Sequence, residues 1–142
     1  MCGFTGFIDF KGNLIDYEKI LKQSSNLINF RGPDESKNLI LNELGIYLTF
    51  NRLSMIDLTE NGSQPMFSFS RDSLILFNGE IYNFSELKKI LSTKMDLNDQ
   101  ISDTRIALEY IENYGVNNFL EFCEGMFSIV FINLVEKEIF FL

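Results

Sequence analysis

The second residue is a cysteine, and no histidine occurs anywhere in the 142 residues. Met1-Cys2-Gly3-Phe4-Thr5-Gly6 sets a thiol directly behind the initiator methionine. A thiol nucleophile ordinarily borrows a histidine as its general base. Here it would need another. Removal of Met1 would leave Cys2 at the N-terminus, with thiol and α-amine on one residue. A free α-amine has a pKa of about 7.7–8.0, which suits proton transfer near neutral pH. The pattern points to a nucleophile that supplies its own base. The competing reading is a buried strand cysteine behind an uncut methionine, because a free cysteine usually behaves as a small apolar residue.

Other segments with chemical potential fall where strands end or loops begin. They are Arg31-Gly32-Pro33-Asp34, Asn51-Arg52-Leu53-Ser54, Gly62-Ser63-Gln64-Pro65, Asn78-Gly79-Glu80 and Ser102-Asp103. Loops on a rigid scaffold are where sites are built. Each has a plain alternative. Arg31 to Asp34 reads as a turn with an ion pair, Asn78-Gly79 as a hairpin or strand-exit turn, and Asp103 as a helix cap. Arg52, inside an apolar strand region, calls for an anionic partner. Cys123 reads as core.

These residues must be positioned by regular elements. Phe4 to Phe10 reads as a buried strand ending at a Lys11-Gly12-Asn13 turn. Asp16 is placed to cap a helix from Tyr17, with Ile20, Leu21, Leu27 and Ile28 on one apolar face. Gly32 and Pro33 stop it. Strands are expected over Asn38 to Leu44 and Ile46 to Asp57 around a Leu44-Gly45 turn, with a loop at Glu60 to Ser63. Ser73 to Phe77 forms a further strand, which Asn78-Gly79 ends. Asn83-Phe84-Ser85-Glu86 has capping-box spacing and opens a helix with Leu87, Ile90 and Leu91 inward. Ser102 or Asp103 caps the next helix, which Gly115 stops. Met126 to Leu134 and Glu138 to Leu142 read as two strands around a Val135-Glu136-Lys137 turn. Strands, helices, then strands suggest an α+β fold with helices on antiparallel sheets.

The bulk numbers bound the function. The length suits one domain or part of one. With 46% hydrophobic residues and 15 phenylalanines there is mass for a core. A net charge of −8 disfavours nucleic acid and anionic membranes as partners. No apolar run is long enough to span a bilayer, and no secretory signal is evident. Two cysteines without histidine give no zinc set. Cys2 and Cys123 could in principle pair, but the absence of a signal suggests a reducing compartment, and a cytoplasmic location is expected. The chain stops inside an apolar run, Ile139-Phe140-Phe141-Leu142, which reads as a strand cut short and hence as a piece of a longer protein.

In chain order, Cys2-Gly3, Arg31-Gly32-Pro33-Asp34, Arg52-Leu53-Ser54-Met55-Ile56-Asp57, Gly62-Ser63-Gln64-Pro65-Met66, Phe77-Asn78-Gly79-Glu80-Ile81-Tyr82-Asn83, Ser102-Asp103-Thr104 and Gly125-Met126-Phe127 resemble the glutaminase domain of glutamine-hydrolysing asparagine synthetases. These are class II amidotransferases with an N-terminal nucleophile. Leu53 stands where sugar-phosphate and purine-pathway relatives tend to carry an aromatic. The resemblance implies an N-terminal-nucleophile hydrolase fold, a four-layer αββα sandwich of antiparallel sheets, here incomplete at its C-terminal end, with residues 1–142 as one partial amidotransferase domain. It implies Cys2 as nucleophile with its α-amine as base, and Asn78 and Gly79 as oxyanion hole. It implies Arg52 as anchor of the glutamine α-carboxylate and Asp103 as holder of the α-ammonium. Glu80 would be a further substrate contact, and Leu53 and Met55 would offer backbone groups. The implied partners are glutamine and a synthetase domain or subunit that accepts the ammonia. ATP and magnesium would belong only to that synthetase part, so no cofactor is expected in this chain.

Two positions depart from the family pattern. Phe30 stands where a histidine usually precedes Arg-Gly-Pro-Asp, and Phe50 stands where one often lies two residues before Arg52. Two alternatives to the enzyme are a catalytically weak remnant or binding domain, and an N-terminal-nucleophile acylase for other amides. A third keeps the amidotransferase chemistry but gives the ammonia to another acceptor, such as a surface sugar. The Arg52 and Asp103 pair disfavours the acylase, whose pocket need not recognise a zwitterion.

Overall fold

The computed structural model describes residues 2–12, 16–53, 62–97 and 101–142. The chain divides into two units, one of residues 1–58 with 63–65 and one of residues 59–62 with 66–142. Each holds one antiparallel sheet with helices packed against it, so the α+β expectation is borne out.

In the first unit, strand β1 (Gly3–Ile8) and strand β2 (Glu35–Leu41) flank strand β3 (Ile46–Arg52) in the order β1-β3-β2. Helix α1 (Tyr17–Ile28) lies against β1 and β3. Asp16 caps it as expected, its Oδ1 accepting from the Lys19 N–H at 3.4 Å. The expected apolar face is only partly realised. Leu21 and Ser25 are the buried residues of α1, while Leu27 is 76% exposed. At 3.6 residues per turn, a residue six beyond Leu21 falls about 120° off its stripe. After a single 3₁₀ turn at Asn29–Arg31, the chain enters β2. Gly45 makes the β2–β3 connection at φ 63°, where a Cβ would collide with the Asp9 carbonyl. A left-handed residue without a side chain is what the close approach requires.

Side chains alternate between the two faces of a strand. Tyr47 stacks on Phe7 and Tyr17, with ring centroids 4.8 and 4.9 Å apart, so Tyr47, Thr49 and Asn51 face α1. Asn51 is fully buried and fully engaged. Its Nδ2 donates to the Ser25 carbonyl at 3.3 Å and to Asn29 Oδ1 at 3.2 Å, and its Oδ1 accepts from Ser25 Oγ at 3.0 Å. Ser25 Oγ also pairs with Ser36 Oγ at 2.7 Å. Arg52 and Phe50 therefore belong to the opposite sheet face.

In the second unit, strands β4 (Met66–Phe67), β5 (Ser73–Ile81), β6 (Gly125–Asn133) and β7 (Glu138–Phe141) pair in that order. Helices α2 (Phe84–Leu91), α3 (Asp103–Tyr114) and α4 (Val116–Phe122) complete it. Three expectations need correction. β5 does not end at Asn78-Gly79 but runs on to Ile81, because both residues stay in register with Ser128 and Phe127 of β6. The Asn83 capping box does not form: its side chain instead donates to the Phe122 carbonyl at 2.8 Å and accepts from the Glu124 N–H at 2.9 Å. Tying α2 to the end of α4 gives both polar atoms of the Asn83 amide a backbone partner, where a local cap would engage one. Ile90 is 37% exposed while Leu87 and Leu91 are buried. Helix α4 and the short β4 are findings that periodicity did not reveal, since two residues or seven carry too little pattern.

The loop between β4 and β5 is latched to α3 by charge. Glu109, 1% exposed, accepts from the Phe69 N–H at 2.9 Å and from Arg105 Nη1 at 3.0 Å. Arg105 also donates to the Phe67 carbonyl, and Glu112 accepts from the Ser70 and Ser73 hydroxyls. Burial pushes the Glu109 carboxyl above its ordinary range, against the pull of those donors. Arg105→Ala would strand a buried carboxylate, a loss of about 3–5 kcal/mol. For a carboxyl with a raised pKa, stability is lost as pH rises through that pKa. The deficit should therefore be largest at pH 7 and shrink as the buffer is taken down through the raised pKa of Glu109, which paired thermal melts would read out.

Candidate active site

The thiol lies where the register of β1 and β3 carries it. Gly3 pairs with Asn51, so Cys2, one residue earlier, comes opposite Arg52. The Leu53 backbone N–H donates to Cys2 Sγ at 3.4 Å, and the thiol reaches the Leu53 carbonyl at 3.8 Å. From the other side, Arg31 Nε donates to the Cys2 carbonyl at 3.1 Å. The 3₁₀ turn that presents Arg31 is tied to β3 through Asn29 and Asn51. Cys2 is half-buried, so it is held without being sealed in.

Arg52 supplies the positive charge of this unit's cluster. It is 7% exposed, and its Nη1 lies 3.5 Å from Glu35 Oε2, the residue opposite it on β2. The anionic partner expected for a strand arginine is thus present. Ser63 Oγ donates to the other Glu35 oxygen at 3.0 Å, and Lys37 Nζ donates to Ser63 Oγ at 2.9 Å. Glu35 lies outside every motif of the sequence. The available signal was an acidic residue early in the strand beside the one that holds Arg52. Of the two phenylalanines in histidine positions, Phe50 is 2% exposed and opposite Phe4, while Phe30 is 81% exposed on the 3₁₀ turn. Met55 lies outside the described residues.

The second unit gathers Asn78, Gly79, Glu80 and Asp103. The first three are consecutive on β5. Gly79 has φ 156°, and a Cβ there would run into the Met126 carbonyl and the Phe127 backbone. Only glycine lets β6 approach so closely at the residue following Asn78. Asp103 opens α3 but is not its cap. Ser102 is, its Oγ accepting from the Arg105 N–H at 3.2 Å. The Asp103 carboxylate instead accepts from the Thr104 N–H at 2.7 Å and from the backbone of Ile81, next to Glu80. Burial raises the Asp103 pKa above its ordinary value, and the negative charge of Glu80 adds to the rise, against the hydrogen bonds. Two carboxylates that repel one another favour a cation beside them. Among the described residues, no group of histidine, cysteine, aspartate or glutamate could hold a metal ion.

Cys123 contrasts with Cys2. Both are free thiols. Burial, with the Glu124 charge, pushes the Cys123 thiol up to about 11. A thiol held that firmly protonated is inert, and it packs at the margin of the second unit's core, as its sequence context indicated.

The comparisons with known proteins cover the whole chain. A family model described as a glutamine amidotransferase domain matches residues 1–142. Asparagine synthetase [glutamine-hydrolyzing] 2 of Bacillus subtilis is 33% identical over 143 residues, covering 99% of this chain and 18% of the relative. Asparagine synthetase [glutamine-hydrolyzing] 1 of the same organism is 35% identical over 135 residues, covering 94% and 21%. The maize asparagine synthetase [glutamine-hydrolyzing] is 34% identical over 138 residues, covering 96% and 22%. The chain thus spans about a fifth of the length of these relatives.

Asp103→Asn keeps the acceptor oxygen for Thr104 and removes the charge that burial and Glu80 oppose. It should raise the melting temperature at pH 7. The gain should fade as pH falls through the raised pKa of Asp103, where the wild-type carboxyl is neutral as well. An unchanged or lower melting temperature at pH 7 would remove the case for a strained carboxylate pair.

Proposed function

The chain belongs to the glutamine amidotransferase domain family, and from that premise we propose that it hydrolyses glutamine to glutamate and ammonia as the ammonia-supplying part of an asparagine synthetase. The observation that carries this reading is the Cys2 sulfur held by the Leu53 N–H beside the buried Arg52. Residues 1–142 supply the glutamine amidotransferase part. ATP and magnesium belong to a synthetase domain or subunit that receives the ammonia in the cytoplasm, and no step here is routed through them.

Glutamine carries opposite charges at one end and a neutral amide at the other. Arg52 binds the α-carboxylate, its planar fork orienting as well as attracting. Asp103 and Glu80 hold the α-ammonium, and its positive charge relieves their mutual repulsion. Leu53 and Met55 contribute backbone contacts. Once Met1 is removed, the α-amine of Cys2 takes the thiol proton. The thiolate attacks the side-chain amide carbon, and the electron pair moves to oxygen. The Asn78 side-chain amide and the Gly79 N–H stabilise that oxyanion. The adduct collapses, the α-ammonium returns its proton to the departing nitrogen, and ammonia leaves a γ-glutamyl thioester. Water, deprotonated by the same amine, then releases glutamate and restores the thiol.

Cys2→Ala should abolish glutamate release. Asn78→Ala should lower kcat by about 100- to 1,000-fold, the usual effect of losing one oxyanion donor. Arg52→Ala should raise KM for glutamine by roughly tenfold or more, since a charge-assisted hydrogen bond contributes about 1.5–3 kcal/mol. Intact-mass analysis checks the premise of the base. An active enzyme that retains Met1 would refute the role given to the α-amine, and a Cys2→Ala variant as active as wild type would refute the whole reading.

A further inference from the structure

The proposed carboxylate anchor has a neighbour for which the mechanism has no use. Glu35 faces Arg52 across the β2–β3 ladder, and opposed residues of an antiparallel pair project from the same sheet face. The two side chains approach to 3.5 Å. Glu35 is fastened from its other oxygen by Ser63, and Ser63 by Lys37. Ser63 belongs to the Gly62-Ser63-Gln64-Pro65 segment that stood out in the sequence and received no catalytic role. The Arg52 side chain is 9% exposed and that of Glu35 39%, so a buried cation meets an anion at the edge of solvent.

A carboxylate fixed beside a guanidinium weakens its pull on a second carboxylate. The effect depends on the ligand's net charge. A monoanion meets the repulsion of Glu35 in full. A zwitterion does not, because its ammonium is attracted to Glu35 as its carboxylate is repelled. Resting on the reading of Arg52 as the α-carboxylate anchor, we infer that Glu35 is a specificity-determining residue. Its charge, held in place by Ser63 and Lys37, tempers Arg52 so that a carboxylate alone does not retain a ligand and an amino acid is required. A salt bridge that merely compensates a buried arginine would support the fold without discriminating between ligands.

The test compares glutamine with 4-carbamoylbutanoate, which has the same carboxylate and amide but no α-amine, in the intact protein. Wild type should prefer glutamine strongly. Glu35→Gln should leave KM for glutamine nearly unchanged and tighten competitive inhibition by 4-carbamoylbutanoate about three- to tenfold, a modest change because the pair is partly screened. The difference between Glu35→Gln and wild type should shrink at high salt. Glu35→Asp, which keeps the charge, should restore most of the wild-type preference. Glu35→Ser, which replaces the carboxylate by a small neutral group, should shift the preference in the same direction as Glu35→Gln and carries the test if the glutamine variant does not fold. A folded neutral variant with the wild-type preference, or an equal shift in Glu35→Asp, overturns the assignment of Glu35. If Arg52→Ala leaves KM for glutamine unchanged, the anchor itself is wrong and the inference falls with it. If Arg52→Ala raises KM while the neutral variants do nothing, only the role of Glu35 is overturned.

Discussion

The register of β3 is the constraint on which the first unit depends. Every residue from Ile46 to Arg52 is buried, so neither sheet face can exchange its side chains for those of the other. A slip of one residue would send Asn51 out of its bonds to Ser25 and Asn29 and turn Arg52 toward α1. It would also move Leu53 away from the Cys2 sulfur. The buried amide of Asn51 therefore does more than fill space. Each of its polar atoms has a partner, and a shifted strand would leave them unpaired in the interior, at a cost of about 1–3 kcal/mol for each group. The Cys2 thiol inherits its position from a polar network on the far face of the same sheet.

The second unit is organised around a different economy. Its core is apolar and aromatic, with Phe77, Phe119, Phe127 and Tyr110 in ring contact along the sheet and α3. At one end of β5, that order gives way to two neighbouring carboxylates and a glycine at φ 156°. Burying one carboxylate beside another costs stability, because each disfavours the other's charge. A cationic group beside Asp103 and Glu80 would offset their mutual repulsion. The same logic separates this pair from the Arg105–Glu109 latch, where the buried acid already has its cation and its hydrogen bonds.

The chain contains no histidine, and its two cysteines differ in what surrounds them. The two thiols of the chain have opposite surroundings: Cys123 is pressed against the core beside an acidic residue, and Cys2 is half-buried with a backbone donor on its sulfur. Phe50 fills buried space on the sheet face that carries Arg52. It contributes packing there and no titratable group.

Local signals in the sequence determined much of this protein. Asp16, the Leu44-Gly45 turn, Ser102 and Gly115 marked element ends that the structure keeps, because caps and left-handed turns are decided within a few residues. The leading cysteine, the strand arginine and the order of the loop motifs pointed to the family and its chemistry. Tertiary structure decided the rest. Asn78-Gly79 has the composition of a turn, yet pairing with Ser128 and Phe127 keeps it in a strand. Asn83 has the spacing of a cap, yet its amide is spent on Phe122 and Glu124. Leu27 sits in an apolar pattern, yet the α1 stripe misses it. Glu35 carried no motif at all, and only the β2–β3 register sets it against Arg52. A sequence encodes local preference directly, whereas partners distant in the chain are fixed only when strands align and burial forces each polar group to find its match.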